Sequence, residues 1–189
     1  MHNFQHEIKA CLEVLQNGGL ILYPTDTVWG IGCDATNPDA VKKVYELKQR
    51  VDSKALICLA VDDRMLKNYI EELSQVALDI IDIASKPTTI IYDGAKNLAP
   101  NLIAEDGSIA FRIPDDDFCY WLLRRFNKAI VSTSANISGK PTPKSFKEIS
   151  PDILKGVDYV VNLHREKINT KPSSIIKLSN DGQVKIIRS

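Results

Sequence analysis

The chain has 189 residues, of which 44% are hydrophobic and 25% are charged, with 24 cationic and 24 anionic side chains. This length predicts a single domain over residues 1–189, with a core large enough to be stable without metals or disulfides. A formal net charge of zero excludes a general attraction to nucleic acids or anionic membranes, so any such affinity needs a local basic patch.

The cysteines and the N-terminal segment bear on the compartment. Cys11, Cys33, Cys58 and Cys119 are widely spaced and form no C-x-x-C pair, which argues against a zinc site or a disulfide framework. The first residues lack a basic and then apolar signal sequence, and the longest apolar run, Ala55–Val61, is much shorter than a membrane-spanning helix. We therefore expect a cytoplasmic protein with reduced thiols and no membrane association.

Helical and strand patterns are mixed along the whole chain. Apolar residues at helical spacing from Ile8 to Leu15 predict a helix that ends at Asn17-Gly18-Gly19. Asn37-Pro38, an amide cap followed by proline, predicts a helix that ends near Lys48. Further helices are predicted at 64–72, 75–84 and 115–125. Strands are predicted at 20–23, 55–61, 88–92, 108–113, 129–133, 158–163, 173–178 and 184–187. This mixture indicates one α/β domain with a twisted, mostly buried mixed sheet flanked by helices, and with loops at 93–107 and 139–145.

Two polar clusters lie far apart in sequence, each where a regular element is predicted to end. The first is Lys48-Gln49-Arg50. If the helix ends near Lys48, Arg50 lies on extended chain and both cations can turn toward one ligand. Arginine then grips oxygens bidentately and lysine adds a point charge, as a polyphosphate requires. The alternative is a solvated basic helix end that is favoured by the helix dipole.

The second cluster runs from Ser132 to Gly139. In a strand that ends near Thr133, Ser132, Ser134 and Asn136 share one face if the extended chain continues. Open α/β sheets bind ligands beyond the carboxyl ends of their strands, where hydroxyl and N–H groups can hold anionic oxygen. The alternative is a polar turn whose side chains satisfy their own backbone.

Two further polar positions stand out. Thr25-Asp26-Thr27 follows a strand but forms neither a phosphate loop nor a dinucleotide-binding turn, and Asp26 is as easily a turn former as a magnesium ligand. Arg112 lies in an otherwise apolar strand, where a cation is costly to bury unless it is paired. It snorkels, meets a protein carboxylate or receives an anionic ligand.

Taken together and in this order, these segments resemble the threonylcarbamoyl-AMP synthase family, also called the YrdC-like domain, over nearly the whole chain. The signature of that family, Lys-x-Arg with Ser-x-Asn, is intact as Lys48/Arg50 and Ser134/Asn136, whereas a related branch of the fold lacks it. The other matching segments are Pro24–Val28, Gly32–Ala35, Ala110–Pro114, Lys171–Ile176 and Ile187-Arg188.

The resemblance implies a twisted α/β fold with a concave, cation-lined cavity. It also implies a nucleotidyltransferase that joins L-threonine, bicarbonate and ATP into threonylcarbamoyl-AMP and pyrophosphate. The product feeds modification of a tRNA adenosine beside the anticodon, so tRNA threonylcarbamoyl-transfer proteins are implied downstream partners. ATP is a substrate and Mg²⁺ is expected to accompany it, although the sequence contains no dedicated carboxylate cage.

The resemblance also implies residue roles. The implied catalytic residues, which hold phosphates and bicarbonate-derived oxygens, are Lys48, Arg50, Ser134 and Asn136. The implied threonine-binding residues are Thr25 and Arg112, and Arg112 meets the threonine carboxylate. The implied nucleotide-side residues are Lys54, Ser132, Ser174 and Arg188.

Some positions depart from the family pattern. Leu59 stands where many members carry a histidine, and Val51 follows Arg50 where proline is usual. Ser85-Lys86-Pro87 replaces Trp-Pro-Gly-Pro, and Ser174 replaces a threonine. These departures affect how the amino acid is held more than how the nucleotide is bound.

The alternative hypothesis is a module that holds RNA or a nucleotide in the same cavity without turnover. It predicts RNA binding that falls steeply with salt. The zero net charge and the sparse aromatic residues count against it. The local basic patch that it would use consists of Lys42, Lys43, Lys48, Arg50 and Lys54.

Overall fold

A computed structural model describes residues 2–49, 56–168, 172–179 and 182–189. Within these ranges the helices are α1 (His2–Gln16), α2 (Pro38–Lys48), α3 (Asp63–Leu66), α4 (Gln75–Ile83), α5 (Asp117–Phe126) and α6 (Pro151–Gly156). The strands are β1 (Ile21–Tyr23), β2 (Gly30–Gly32), β3 (Ile57–Leu59), β4 (Thr88–Tyr92), β5 (Ile109–Arg112), β6 (Ile130–Ser134), β7 (Tyr159–Val160), β8 (Ser174–Leu178) and β9 (Val184–Arg188). Two short 3₁₀ helices, Pro100–Leu102 and Phe146–Glu148, lie in the connections.

These strands form one mixed sheet in the order β7-β1-β2-β6-β3-β5-β4-β8-β9. The pairs β1–β7, β3–β5 and β4–β8 are parallel, and the other neighbouring pairs are antiparallel. Residues of β1, β2 and β5 are buried throughout, whereas every residue of the edge strand β9 is exposed. The predicted α/β fold with a mixed, mostly buried sheet is confirmed.

Helices α1 and α5 pack against each other, and α1 also contacts β1 and β7. Their shared core includes Ile8, Cys11 and Leu15 from α1 and Phe118 and Leu122 from α5, all of which are buried. This spacing of three and four residues is the helical periodicity that the sequence shows. Within the described ranges, no helix has the length and apolar character needed to cross a membrane.

Local signals fix both ends of α2. The side chain of Asn37 accepts hydrogen bonds from the backbone N–H groups of Asp39 and Ala40, so it caps the first turn. Gln49 adopts a left-handed conformation with φ 50° and ends the helix. The helix therefore ends at Lys48, as predicted.

One strand was not predicted. Gly30–Gly32 forms β2 between β1 and β6, although two glycines give a three-residue segment little intrinsic strand preference. A Cβ atom on Gly32 would lie 2.7 Å from the ring of Tyr23 and 2.9 Å from the carbonyl oxygen of Val131. The absence of a side chain is thus what allows these strands to approach, and tertiary packing decides the local structure.

Other predicted elements exist with different bounds. The helix predicted at 64–72 ends at Leu66, because the chain then turns and Ile70 pairs with Ala95 in an isolated bridge. The strands predicted at 55–61 and 158–163 are shorter than expected. Helix α6 was not predicted, although Ser150 caps it and Pro151 begins it.

Candidate functional site

The two polar clusters meet in space. The Nζ atom of Lys48, at the end of α2, donates hydrogen bonds to the carbonyl oxygens of Ser134 (2.5 Å) and Asn136 (2.7 Å). The N–H of Ser138 in turn donates to the carbonyl oxygen of Lys48 at 2.8 Å. Three of the four signature residues therefore form one hydrogen-bonded cluster. The fourth, Arg50, lies outside the described residues.

Lys48 is only 1% exposed, and its ammonium group bonds backbone carbonyls at the end of β6. The sequence predicted that this cation turns toward a ligand. In the structure it instead links α2 to the loop at 134–138 through hydrogen bonds. It is also absent from the described residues that line the cavity beside this loop. Its positive charge still lies next to any anion bound there, because Ser134 belongs to both the cluster and the cavity wall.

A cavity of about 300 Å³ opens beside this cluster. Its walls include the β1–β2 connection and residues of strands β2, β3, β4, β5, β6, β8 and β9. Among the described lining residues, the charged ones are Arg112 and Arg188. The predicted site residues that line it are Thr25, Arg112, Ser132, Ser134 and Arg188. A cavity with two guanidinium groups and several hydroxyls is suited to an anionic ligand that also offers hydrogen-bond acceptors.

The end of β6 supplies its hydroxyls. Ser132 and Ser134 line the cavity, as their two-residue spacing predicts, and Thr133 between them lines it as well. The extended chain then stops, because the N–H of Asn136 donates to the carbonyl oxygen of Ser134 at 2.8 Å and forms a tight turn. The amide nitrogen of Asn136 donates to the carbonyl oxygens of Ile137 and Lys140, so this side chain braces the turn and lies outside the cavity wall.

Thr25 forms part of the opposite wall. Its hydroxyl donates to the carbonyl oxygen of Val28 at 2.8 Å, and it accepts a hydrogen bond from the N–H of Thr27 at 3.1 Å. The side chain is buried and stabilises the turn after β1. Thr25 lines the cavity and can contact a ligand there, although its hydroxyl already makes hydrogen bonds within the turn.

Arg112 ends β5 and forms an ion pair with the carboxylate of Asp26. Their side chains are 5% and 7% exposed, so the pair is buried. The sequence left three possibilities for Arg112: snorkelling, pairing with a protein carboxylate or binding an anionic ligand. In the structure it pairs with a protein carboxylate. The same arginine also borders the cavity, and its buried Nε has no hydrogen-bond partner among the described residues.

The C-terminal strands bring Ser173, and not Ser174, to the cavity. Ser173, the residue just before β8, lines the cavity together with Ile175, and Ser174 between them is absent from the described lining residues. Ser173 accepts hydrogen bonds at its carbonyl oxygen from Nε (3.0 Å) and Nη2 (2.7 Å) of Arg188. Strand alternation is the signal that could have identified Ser173. Lys54 lies outside the described residues.

Two titratable groups lie close to the Arg112 ion pair. Burial raises the pKa of the Tyr23 hydroxyl and of the Cys119 thiol well above their ordinary values. Both groups therefore stay protonated near neutral pH, and neither serves as an anionic nucleophile. We interpret them as packing residues beneath the site.

The described residues offer little to a metal ion. They contain no group of three or more histidine, cysteine, aspartate or glutamate side chains that could hold one. Asp26, the acidic residue that sequence reasoning considered as a magnesium ligand, is engaged with Arg112. These residues therefore do not form a magnesium site of the usual carboxylate type.

Solved structures identify the fold class. E. coli YciO covers 98% of this chain and 89% of its own, with a TM-score of 0.85 and 24% identity. P. abyssi Sua5 complexed with L-threonine covers 90% of this chain, with a TM-score of 0.81 and 24% identity. This chain spans 50% of that Sua5 chain. At such identities the likeness shows a shared fold, the α/β fold of the Sua5 and YciO proteins.

Sequence comparison identifies the family. The profile of the Sua5/YciO/YrdC family, described as "Telomere recombination", matches residues 13–189, and the chain belongs to this family. A threonylcarbamoyl-AMP synthase of Photobacterium profundum is 38% identical over 152 residues, which are 79% of this chain and 80% of that protein. Another from Vibrio campbellii is 34% identical over 187 residues, 94% and 99% of the two chains. The family prediction from the sequence is confirmed.

Proposed function

We propose that this protein is a cytoplasmic threonylcarbamoyl-AMP synthase, a nucleotidyltransferase that uses L-threonine, bicarbonate and ATP. The observation that carries the proposal is the identity of 34–38% to proteins of that name over most of the chain. The cavity agrees with it, since two arginines and several hydroxyls border a space of about 300 Å³. The downstream partners would be the proteins that transfer the threonylcarbamoyl group to tRNA.

The reaction needs two steps. The threonine amine attacks the carbon of bicarbonate and, with loss of water, gives a carbamate. A carbamate oxygen then attacks the α-phosphorus of ATP in line, and pyrophosphate leaves. Because all three substrates carry acidic groups, the protein contributes mainly by positioning them and by offsetting their negative charge.

We assign the residues as follows. Arg188 and Ser132 bind the nucleotide, and Ser134 contacts the reacting phosphate and carbonate oxygens. Arg112 receives the threonine carboxylate and Thr25 lies beside it. The remaining assignments stay predictions from the family resemblance: Lys48, Arg50 and Asn136 as catalytic residues, and Lys54 and Ser174 on the nucleotide side. Mg²⁺ would enter with ATP.

The test is pyrophosphate release from the purified protein supplied with ATP, threonine and labelled bicarbonate. We expect release that requires all three substrates, together with a labelled adenylate whose mass is that of threonylcarbamoyl-AMP. Omission of each substrate in turn is the control. Absence of threonine-dependent release, together with tRNA binding that weakens steeply as salt rises, would support the RNA-binding alternative instead.

A matched pair of variants on β9 tests the nucleotide side. Arg188→Ala removes a guanidinium from the cavity wall, and we expect it to raise the KM for ATP by ~10-fold, the effect of losing one charged hydrogen bond. Lys185→Ala removes an exposed cation from the same strand, outside the described cavity lining, and should leave this KM unchanged. Equal KM values in the two variants would contradict the role of Arg188.

A further inference from the structure

The ion pair between Asp26 and Arg112 links the turn after β1 to the end of β5. Asp26 lies in Pro24–Val28, a segment that matches the family, but it has no assigned role in the reaction. Its side chain is nevertheless 7% exposed and touches the one guanidinium to which the threonine carboxylate is assigned. Burying two charges is costly, so such a pair needs a reason beyond stability.

Both carboxylate oxygens of Asp26 have partners. Oδ1 accepts a hydrogen bond from Nη1 of Arg112, and Oδ2 accepts one from the backbone N–H of Asp115 at 3.3 Å. Asp115 belongs to the segment that continues β5 beyond Arg112. The carboxylate is therefore held by the same stretch of chain that carries the arginine, which fixes the direction of the guanidinium.

The guanidinium of Arg112 borders the cavity and keeps donors that Asp26 does not engage. With Nη1 engaged by Asp26, the edge formed by Nε and Nη2 remains, and this edge can hold a carboxylate through two parallel hydrogen bonds. The Nε atom is buried and has no hydrogen-bond partner among the described residues. A buried donor in this state is costly unless a ligand satisfies it.

The two arginines of the cavity differ in whether a neighbouring carboxylate balances their positive charge. The Asp26 carboxylate already balances the charge of Arg112, whereas Arg188 donates hydrogen bonds to the carbonyl and hydroxyl oxygens of Ser173, which are uncharged. A triphosphate placed against Arg112 would also lie near the negative charge of Asp26, which costs more than a single carboxylate does. The neutralised arginine therefore favours a monoanion, and Arg188 is better suited to the polyanion.

We propose that Asp26 is a positioning residue that holds Arg112 through Nη1, so that the guanidinium receives the α-carboxylate of the amino-acid substrate in preference to a phosphate. This inference rests on the proposed function. It adds a residue to the threonine site at the point where the chain departs from the family, since Leu59 pairs with Arg112 in the sheet and offers no polar contact.

The test compares L-threonine with L-threoninamide, which keeps the amine and lacks the carboxylate. The wild-type protein should prefer threonine strongly, so the KM for threoninamide divided by the KM for threonine, measured by pyrophosphate release, should be large. Asp26→Ala should lower this ratio by ~10-fold, the effect of one charged hydrogen bond, and leave the KM for ATP within about twofold of the wild-type value. Asp26→Asn keeps an acceptor oxygen for Nη1, so its ratio should lie between those of the wild type and Asp26→Ala. Asp117→Ala, which removes an exposed carboxylate at the start of α5, is the matched control.

Background variants show whether Asp26 acts through Arg112. In an Arg112→Ala protein, Asp26→Ala should change the threonine preference no further, since the residue through which it acts is missing. If Asp26→Ala does not fold, Asp26→Asn alone should still lower the ratio. An unchanged ratio in every folded Asp26 variant of an active protein would overturn this inference alone. A wild-type protein without threonine-dependent release would overturn the proposed function and this inference with it.

Discussion

Lys48 joins two segments that are distant in sequence. It is 1% exposed and donates to two carbonyl groups at the end of β6. A buried cation in this role holds a loop in shape and adds positive charge beneath it. If Lys48 stabilises an anionic transition state, as we propose, we expect its contribution to include the loop geometry as well as the charge.

Replacement of Lys48 by methionine keeps most of the side-chain volume and removes the ammonium group. We expect activity to fall by ~10²-fold or more, because both the charge and the loop support are lost. The free energy of unfolding should fall by ~2 kcal/mol or more, since two carbonyl groups lose a buried donor. Activity assays and urea denaturation measure these effects.

Lys42→Met is the matched control. Lys42 lies on the same helix, but its side chain is 68% exposed and its ion pair with Glu46 lies at the surface. Such a pair contributes little to stability, so activity and unfolding should stay near wild type. Wild-type activity in Lys48→Met would contradict the role assigned to the cluster.

The sequence indicated which side chains would gather but not how each would bond. Ser132 and Ser134 share a face because strand alternation is a local property. The partner of Arg112 could not be predicted, because Asp26 lies 86 residues away and nothing in the sequence distinguishes it from the other acidic residues as an ion-pair partner. Ser173 was missed for a different reason, since the family pattern pointed to its neighbour.

At the scale of elements, β2 is where local reasoning failed. Helices with caps and regular apolar spacing, such as α2 and α5, were predicted with nearly correct bounds because their signals lie within the segment. Strand β2 carries no such signal, and it forms because β1 and β6 supply hydrogen bonds on both sides.

Glycine substitutions in β2 test this explanation. Gly32→Ala places a Cβ atom within 3 Å of both a tyrosine ring and a backbone carbonyl, so it should destabilise the protein by ~1–3 kcal/mol. In Gly30→Ala the nearest atom is the hydroxyl of Ser132 at 3.2 Å, which can rotate away. The loss should therefore be smaller. Equal midpoints of urea denaturation for the two variants would show that close strand packing at Gly32 does not matter.

The architecture of the whole molecule does not by itself define its activity. Sua5 and YciO share this architecture at 24% identity, which shows the fold, and one fold can host many activities. The activity is argued from the relatives of higher identity and from the charges in the cavity. The sequence could predict the fold class because helix and strand signals agree along the chain, whereas the position of each cavity side chain depends on contacts between distant strands.

A single sheet that runs through the chain predicts one cooperative unfolding transition. The chain has a buried tryptophan, Trp29 (2% exposed), and an exposed one on α5, Trp121 (47% exposed). In a Trp121→Phe protein the fluorescence reports on the core through Trp29 alone, and the far-ultraviolet circular dichroism reports on the secondary structure of the whole chain. The two signals should change at the same temperature. Transitions at different temperatures would indicate that the chain contains more than one independently unfolding unit.

The bonds between α2 and the segment that follows β6 also govern where the chain can bend. Residues 134–138 are anchored to a helix end through Lys48, whereas Gly139 has φ +80° and open space around it. Any swing of the stretch at 139–145 over a bound substrate would hinge at this glycine. Such a swing would also break the hydrogen bond from the amide of Asn136 to the carbonyl oxygen of Lys140, so Ser134 would stay in place while the asparagine side chain is released.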